Sequence, residues 1–187
     1  MKTHTITKDQ LDDQNRYVGE ADLTSFSGHI EISADLGFVK FASKLVATGR
    51  IRAYSGSGIE AGEGIEAGWG IKAGSGIEAG EGIEAGWGIE AGSGIKAGWG
   101  ICAQLKISAA LRIFAGLCMW RQPKPEEMEI RCSELVSGEV CFGSLVIVDE
   151  ASEEEEAYAV IAGVRYTLTP SDAEAQTQEG ADSTSAA

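Results

Sequence analysis

Six glutamates and three tryptophans recur at a spacing that could build one surface. The sequence falls into six-residue repeats, and Glu60 and Glu78, Glu63 and Glu81, and Glu66 and Glu84 each stand three repeats apart, as do Trp69 and Trp87. Trp99 takes the same place relative to Glu81. Carboxylates set out this way could attract a cationic partner, and indole rings beside them could hold it. Charge complementarity governs the rate of encounter, and buried aromatic anchors govern how long the complex lasts. Acid–base catalysis fits less well. A carboxyl group becomes a useful general acid only where a pocket desolvates it, and a ladder on an open surface provides none. Histidine occurs only as His4 and His29, so residues 30–187 supply no imidazole base. There is no GxSxG, no P-loop Gly-Lys-Ser/Thr and no HExxH. The sequence therefore predicts no enzyme, no catalytic residue, no cofactor and no metal site.

What must position these side chains is the repeat. From Ile59 the chain reads Gly-Ile-x-Ala-Gly-y with a period of six, and Ile recurs at 59, 65, 71, 77, 83, 89, 95, 101, 107 and 113. Ala follows two positions after each Ile, from Ala61 to Ala115. The y position runs Ser57, Glu63, Trp69, Ser75, Glu81, Trp87, Ser93 and Trp99, so a longer period of three hexads overlies the six. Residues two apart in an extended segment share a face, so Ile and Ala point together and the residue between them points away. Gly-y-Gly is then expected to turn a corner, where glycine permits positive φ. Three such walls, or three hexads, make one turn. The predicted fold is all-β: a three-sided parallel β-helix of hexapeptide repeats. Stacking at about 4.8 Å would give roughly seven turns and a rod about 35 Å long. Collagen is excluded, because glycine alternates spacings of two and four. Glycine density excludes a helix.

The predicted organisation has four parts. Residues 1–19 form an N-terminal lead-in or cap, and 20–120 the solenoid, with regular hexads over 57–118. Residues 121–169 form C-terminal strands or a cap, with an acidic run over 149–156 and a strand over Tyr158–Leu168. Residues 170–187 form a disordered tail. At the corners after residue 100 the polar pattern stops: Leu105, Leu111 and Leu117, together with Phe114, make an apolar surface that something should cover. The segment 128–148, the strand Tyr158–Leu168 or a second copy in a homodimer are the candidates.

Charge narrows the classes of function. The chain of 187 residues carries 15 Lys and Arg against 29 Asp and Glu, a net charge of −14. Residues 57–100 contribute −5 and residues 149–187 contribute −9, while the remainder balances to zero. A binder of nucleic acid through a basic patch is disfavoured. No apolar run reaches the length of a membrane span, and Met1–Thr5 lacks the apolar stretch of a signal peptide, so a cytoplasmic protein is expected. Cys102, Cys118, Cys132 and Cys141 show no CxxC pairing and read as small, mostly buried thiols.

The stacked Gly-Ile-Glu-Ala-Gly repeats resemble the acidic β-helical DNA mimics, of which the pentapeptide-repeat gyrase-protection proteins are the familiar kind. A small acidic chain without enzyme motifs is also similar to phage-encoded anti-CRISPR and other anti-defence proteins. The resemblance spans roughly 56–156. It implies a non-enzymatic inhibitor in the host bacterial cytosol. Such an inhibitor would place an anionic rod in the basic channel of a nucleic-acid-binding protein or ribonucleoprotein effector. The implied contact residues are Glu60, Glu63, Glu66, Trp69, Glu78, Glu81, Glu84, Trp87 and Trp99. The repeat has six positions per side, against five in the gyrase-protection class, which leaves the target open. Segments such as Gly49-Arg-Ile-Arg-Ala53 instead resemble the bactofilin-type cytoskeletal polymers, which implies a structural, end-to-end polymer. Hexapeptide-repeat acyltransferases share the three-sided shape, but they need a histidine in a coil, and the fourth position beyond Ile here holds Ser, Glu or Trp. Calcium-binding β-rolls use Gly and Asp in nonapeptides, and the repeat block has no Asp.

Overall fold

The computed structural model describes residues 1–118 and 121–148, and the backbone of 158–161 and 164–167. Short strands follow one another almost without helix. They are β1 (Thr3–Ile6), β2 (His29–Ile32), β3 (Gly37–Phe41), β4 (Leu45–Ala47), β5 (Ile51–Ala53) and β6 (Ser57–Ala61). The regular block continues with β7 (Ile65–Ala67), β8 (Ile71–Ala73), β9 (Ile77–Ala79), β10 (Ile83–Ala85), β11 (Ile89–Ala91), β12 (Ile95–Ala97) and β13 (Ile101–Ala103). The longer β14 (Lys106–Phe114) follows, then β15 (Glu129–Cys132), β16 (Glu134–Phe142) and β17 (Ser144–Ile147).

From β2 to β13 every third strand pairs in parallel, which winds the chain into a three-sided parallel β-helix. Face A runs β1-β2-β5-β8-β11 and ends on the first half of β14. Face B runs β3-β6-β9-β12 and ends on the second half of β14, and β16 lies against both halves of that strand. Face C runs β4-β7-β10-β13-β15-β17. The register is the one the hexads dictate: Ile59, Ile77, Ile95 and Ile113 form one column, and Ile65, Ile83 and Ile101 another. These isoleucines are buried, and so are their partner alanines. Burying one Ile stabilises by roughly 1.5–3 kcal/mol. A single hexad has nothing to bury it against, so stacked coils are the stable unit.

Four features differ from the sequence reading. First, the turn of three hexads holds only within the regular block. Ile30 pairs with Ile51 and Ile51 with Ile71, both longer steps. An inserted loop lengthens the step from Ile101 to Ile130 further still. Second, the solenoid exceeds 20–120. β1 already pairs with β2, and β15 to β17 extend the coils, the first of the two alternatives, strands or a cap, expected for 121–169. The reason is that Ile130, Leu135, Val140 and Leu145 supply apolar residues in phase with the columns beneath them.

Third, the hexad glycines have no positive φ. Among the glycines that conformation occurs at Gly56 and Gly116, which bracket the regular block, and at Gly28, Gly37, Gly138 and Gly143. Within the hexads, the glycine after each alanine is required by close approach of neighbouring coils. A Cβ on Gly80 would overlap the Gly62 carbonyl oxygen, and one on Gly98 would overlap that of Gly80. The glycine before each isoleucine is less constrained: a Cβ on Gly82 would stand 3.4 Å from the nearest backbone oxygen. Fourth, Leu105 and Leu111 stay exposed, Leu105 at 40% and Leu111 at 63%. Because residues 128–148 continue the winding, they do not fold back over these corners. Phe114 is half-buried in register with Phe142, and Leu117 is half-buried.

The two ends of the rod differ. At the N-terminal end Leu23 and Phe26 are buried, and Leu11 and Tyr17 pack against the core. His4 Nε2 lies 3.0 Å from the Tyr17 hydroxyl there. At the other end Leu145 and Ile147 continue the interior columns of Ile130 and Cys132 yet are exposed.

Residues 150–187 are a separate unit. Its backbone holds an antiparallel pair, β18 (Tyr158–Ile161) and β19 (Val164–Thr167), where the sequence suggests one strand. The acidic run 149–156 and the tail 170–187 lie outside the described residues.

Candidate partner-binding surface

Outward residues stack in the same columns as the isoleucines. The predicted pairs Glu60–Glu78 and Glu66–Glu84 are in register, and the Glu81 amide donates to the Glu63 carbonyl at the corner between faces B and C. The same corner continues to Trp99, whose amide donates to the Glu81 carbonyl. Trp69 and Trp87 stack at the corner between faces C and A, with centroids 5.3 Å apart and planes 8° from parallel. The Leu105 amide donates to the Trp87 carbonyl, so Leu105 continues that column.

Electrostatics then divides these residues into three groups. On face B, Lys40 stands in register with Glu60, and Lys96 with Glu78. The ion-pair distances are 3.4 and 3.6 Å. The Glu60–Glu78 pair is therefore bracketed by two lysines, and these four residues carry no net charge. The longer first coils hide Lys40 from a strict three-hexad reading.

Face C is different. Glu63, Glu66, Glu81 and Glu84 make no ion pair among the described residues. Glu66, Glu81 and Glu84 border a groove of about 410 Å³, together with Trp99, Glu126, Glu129 and Arg131. Arg131 is the cation of that groove and already pairs with Glu129 at 3.3 Å. Two of these acids, Glu126 and Glu129, lie outside the repeat and carry no signal in its periodicity. They arrive through the loop inserted after Leu117, where a clamp fixes their position. Arg121 meets the Glu127 carboxylate with two nitrogens at 2.5 and 2.8 Å, and the Lys124 amide donates to it at 2.8 Å. The guanidinium chiefly, and then that amide, hold the pKa of the Glu127 carboxyl down to about 2. The Arg121 guanidinium also lies 5.5 Å from the Trp99 ring centre, and Trp99 is half-buried. Cys102 sits between Glu84 and Arg131 in the outward column. Burial first, and then the Glu84 charge, push its thiol upward, so it is a poor nucleophile.

The third group departs from the expected grouping. The Trp69 and Trp87 rings border a second groove on the other side of their corner, with Arg50, Arg52, Lys72 and Lys106 of face A. They are not part of the acidic groove that holds Trp99. A corner side chain can lean to either face, and the bare backbone of Gly70 and Gly88 leaves room on the face A side.

Among the described residues, no group of three His, Cys, Asp or Glu side chains could hold a metal ion. No helix there is long and apolar enough to cross a membrane. No family model, curated protein or solved structure matches the chain.

Proposed function

We propose that this protein is a non-enzymatic, protein-binding inhibitor. Its acidic face C would enter the basic channel of a nucleic-acid-handling effector in the manner of a DNA mimic. One observation carries the reading. Four stacked carboxylates, Glu66 and Glu84 on face C and Glu63 and Glu81 at its corner with face B, have no ion-pair partner among the described residues, while the neighbouring pair on face B has a lysine at both ends. Like charges one strand apart destabilise a sheet, and lysines in the same protein stand where they relieve such repulsion elsewhere. Retaining the repulsion on one face fits a surface selected for a cationic partner. Basic channels that hold nucleic acid gain affinity by counterion release, and an anionic rod releases the same ions. Trp99, beside Glu81 and Glu84, supplies the apolar anchor. The proposed partner is a basic protein or ribonucleoprotein of bacterial defence, of the kind anti-CRISPR proteins target, met in the cytoplasm without direct binding of nucleic acid or membrane. The test is competition with duplex DNA for a panel of CRISPR effector ribonucleoproteins. Displacement that weakens with salt supports the reading; no displacement by the protein at low salt removes it.

A bactofilin-like structural role is the second reading, favoured by the exposed Leu145 and Ile147 at one end of the rod. The packed N-terminal end speaks against an open polymer, because a head-to-tail filament needs two adhesive ends. A closed homodimer that covers Leu105 and Leu111 or the open end is compatible with both readings. Sedimentation over a range of concentrations separates monomer, dimer and filament.

A further inference from the structure

We propose that the groove on face A is a binding site for a small planar aromatic anion, separate from the acidic face. The groove has a volume of about 620 Å³, within the usual range for ligand sites. Its floor is the backbone of Gly70 and Gly88, where two successive coils carry no side chain. One wall is the Trp69–Trp87 stack. Trp87 is 56% exposed. Val136 adds an exposed apolar side chain to the lining. This much aromatic surface open to solvent suits a flat apolar body laid against it.

Other residues of the lining supply the charge. Arg52 and Lys72 stand in register, two cations directly stacked in a chain of net charge −14. Three cations of the groove already have carboxylates. Arg50 meets Glu31 at 2.7 Å, Lys72 meets Glu90 at 2.6 Å and Lys106 meets Glu134 at 2.8 Å. Arg52 has no ion pair among the described residues. Glu31 stands in register with it, but that carboxylate is bonded to Arg50 and to the Tyr54 hydroxyl. The Arg52 guanidinium instead lies 4.6 Å from the Tyr54 ring centre. The groove thus holds one cation outside an ion pair and two stacked indole rings. That combination recognises a ligand with one anionic head and one flat apolar body. An aromatic body is favoured over an alkyl chain, because the indole rings and the guanidinium plane both reward stacking.

The probe is 1-anilinonaphthalene-8-sulfonate, followed by its own fluorescence and by quenching of tryptophan emission in the full chain. The protein is expected to bind it, with tryptophan quenching. Trp87→Ala and Arg52→Ala are each expected to weaken binding at least tenfold, and Trp87→Phe to retain most of it. Trp87→Phe also guards against loss of fold, as does the solvent-exposed position of Trp87. Leu145→Lys/Ile147→Lys, at the open end of the rod, should leave binding unchanged. Dodecanoate and uncharged N-phenyl-1-naphthylamine should compete at least tenfold more weakly than a second aromatic sulfonate. Equal binding by the Trp87→Ala and Arg52→Ala variants would overturn the site. Equal competition by dodecanoate would overturn its aromatic class.

Discussion

Glu84 stands one coil from Glu66 in direct register, and neither carboxylate meets a cation in an ion pair among the described residues. On the adjacent face the equivalent pair, Glu60 and Glu78, has a lysine on each side. One fold, one repeat and one residue type thus give a neutral column and an anionic one. The difference lies in what the coils above and below place in register.

Backbone stacking makes the two glycines of a hexad unequal. Gly80→Ala should destabilise the rod by roughly 1–3 kcal/mol or more, since its Cβ would overlap the neighbouring coil and something must shift. Gly82→Ala should be neutral or stabilising by up to about 1 kcal/mol, through a less flexible unfolded chain. Thermal melts of the two variants check this, and equal losses would contradict it.

Much of this is legible in the sequence. The Ile-x-Ala phase and the super-period of three hexads lead to the three faces, the buried columns and the register of the six glutamates. The misses have physical causes. Positive φ is the familiar reason for glycine at a corner, yet the hexad glycines answer to the next coil's carbonyl, which a one-dimensional reading does not contain. Lys40 escapes because the first coils are longer than three hexads. Glu126 escapes because a loop brings it to face C from outside the repeat. Arg52 sits in a segment read for its resemblance to other solenoids, and only the folded coils bring it to the groove that Trp87 also borders.

The columns should fail as units. Ile77 is fully buried between Ile59 and Ile95, so Ile77→Asp places a carboxylate with no partner in the core, at a cost of several kcal/mol. Loss of the β-sheet circular-dichroism signal at room temperature is the expected outcome, and a cooperative melt close to the parent's would contradict the register.

The N-terminal end should respond to pH. Burial chiefly, and then the Lys2 charge, hold the His4 imidazole below its ordinary value of 6.5. Its neutral form is favoured on folding, so its contribution is full above that value and is lost as pH falls below it through the lower folded value. Hydrogen exchange in β1 and around Tyr17 should speed up as pH drops from about 7 to about 5, after correction for intrinsic rates. His4→Gln should remove that dependence; an unchanged profile in the variant would assign it elsewhere.

The loop over face C depends on one clamp. Glu127→Gln removes the bidentate contact with Arg121. It should raise exchange across residues 121–128 while leaving the melting temperature within about 2 °C, because solvent screening leaves exposed ion pairs little weight in global stability. A global loss of stability would show that the loop supports the rod itself.

The central claim rests on the face C carboxylates, and their removal tests it most directly. The measurement is the affinity of a bound CRISPR effector ribonucleoprotein for three chains at low and physiological salt. The chains are the parent, Glu63→Gln/Glu66→Gln/Glu81→Gln/Glu84→Gln, and Glu60→Gln/Glu78→Gln. The account predicts that the fourfold variant melts slightly higher than the parent yet binds at least about tenfold more weakly, a loss of about 1.4 kcal/mol or more shared over four charges. It predicts that the twofold variant binds within about a factor of three of the parent, because its carboxylates are already neutralised by lysines. If the fourfold variant binds as tightly as the parent at both salt concentrations, the face C carboxylates are no more than a solvated surface and the mimicry reading is wrong.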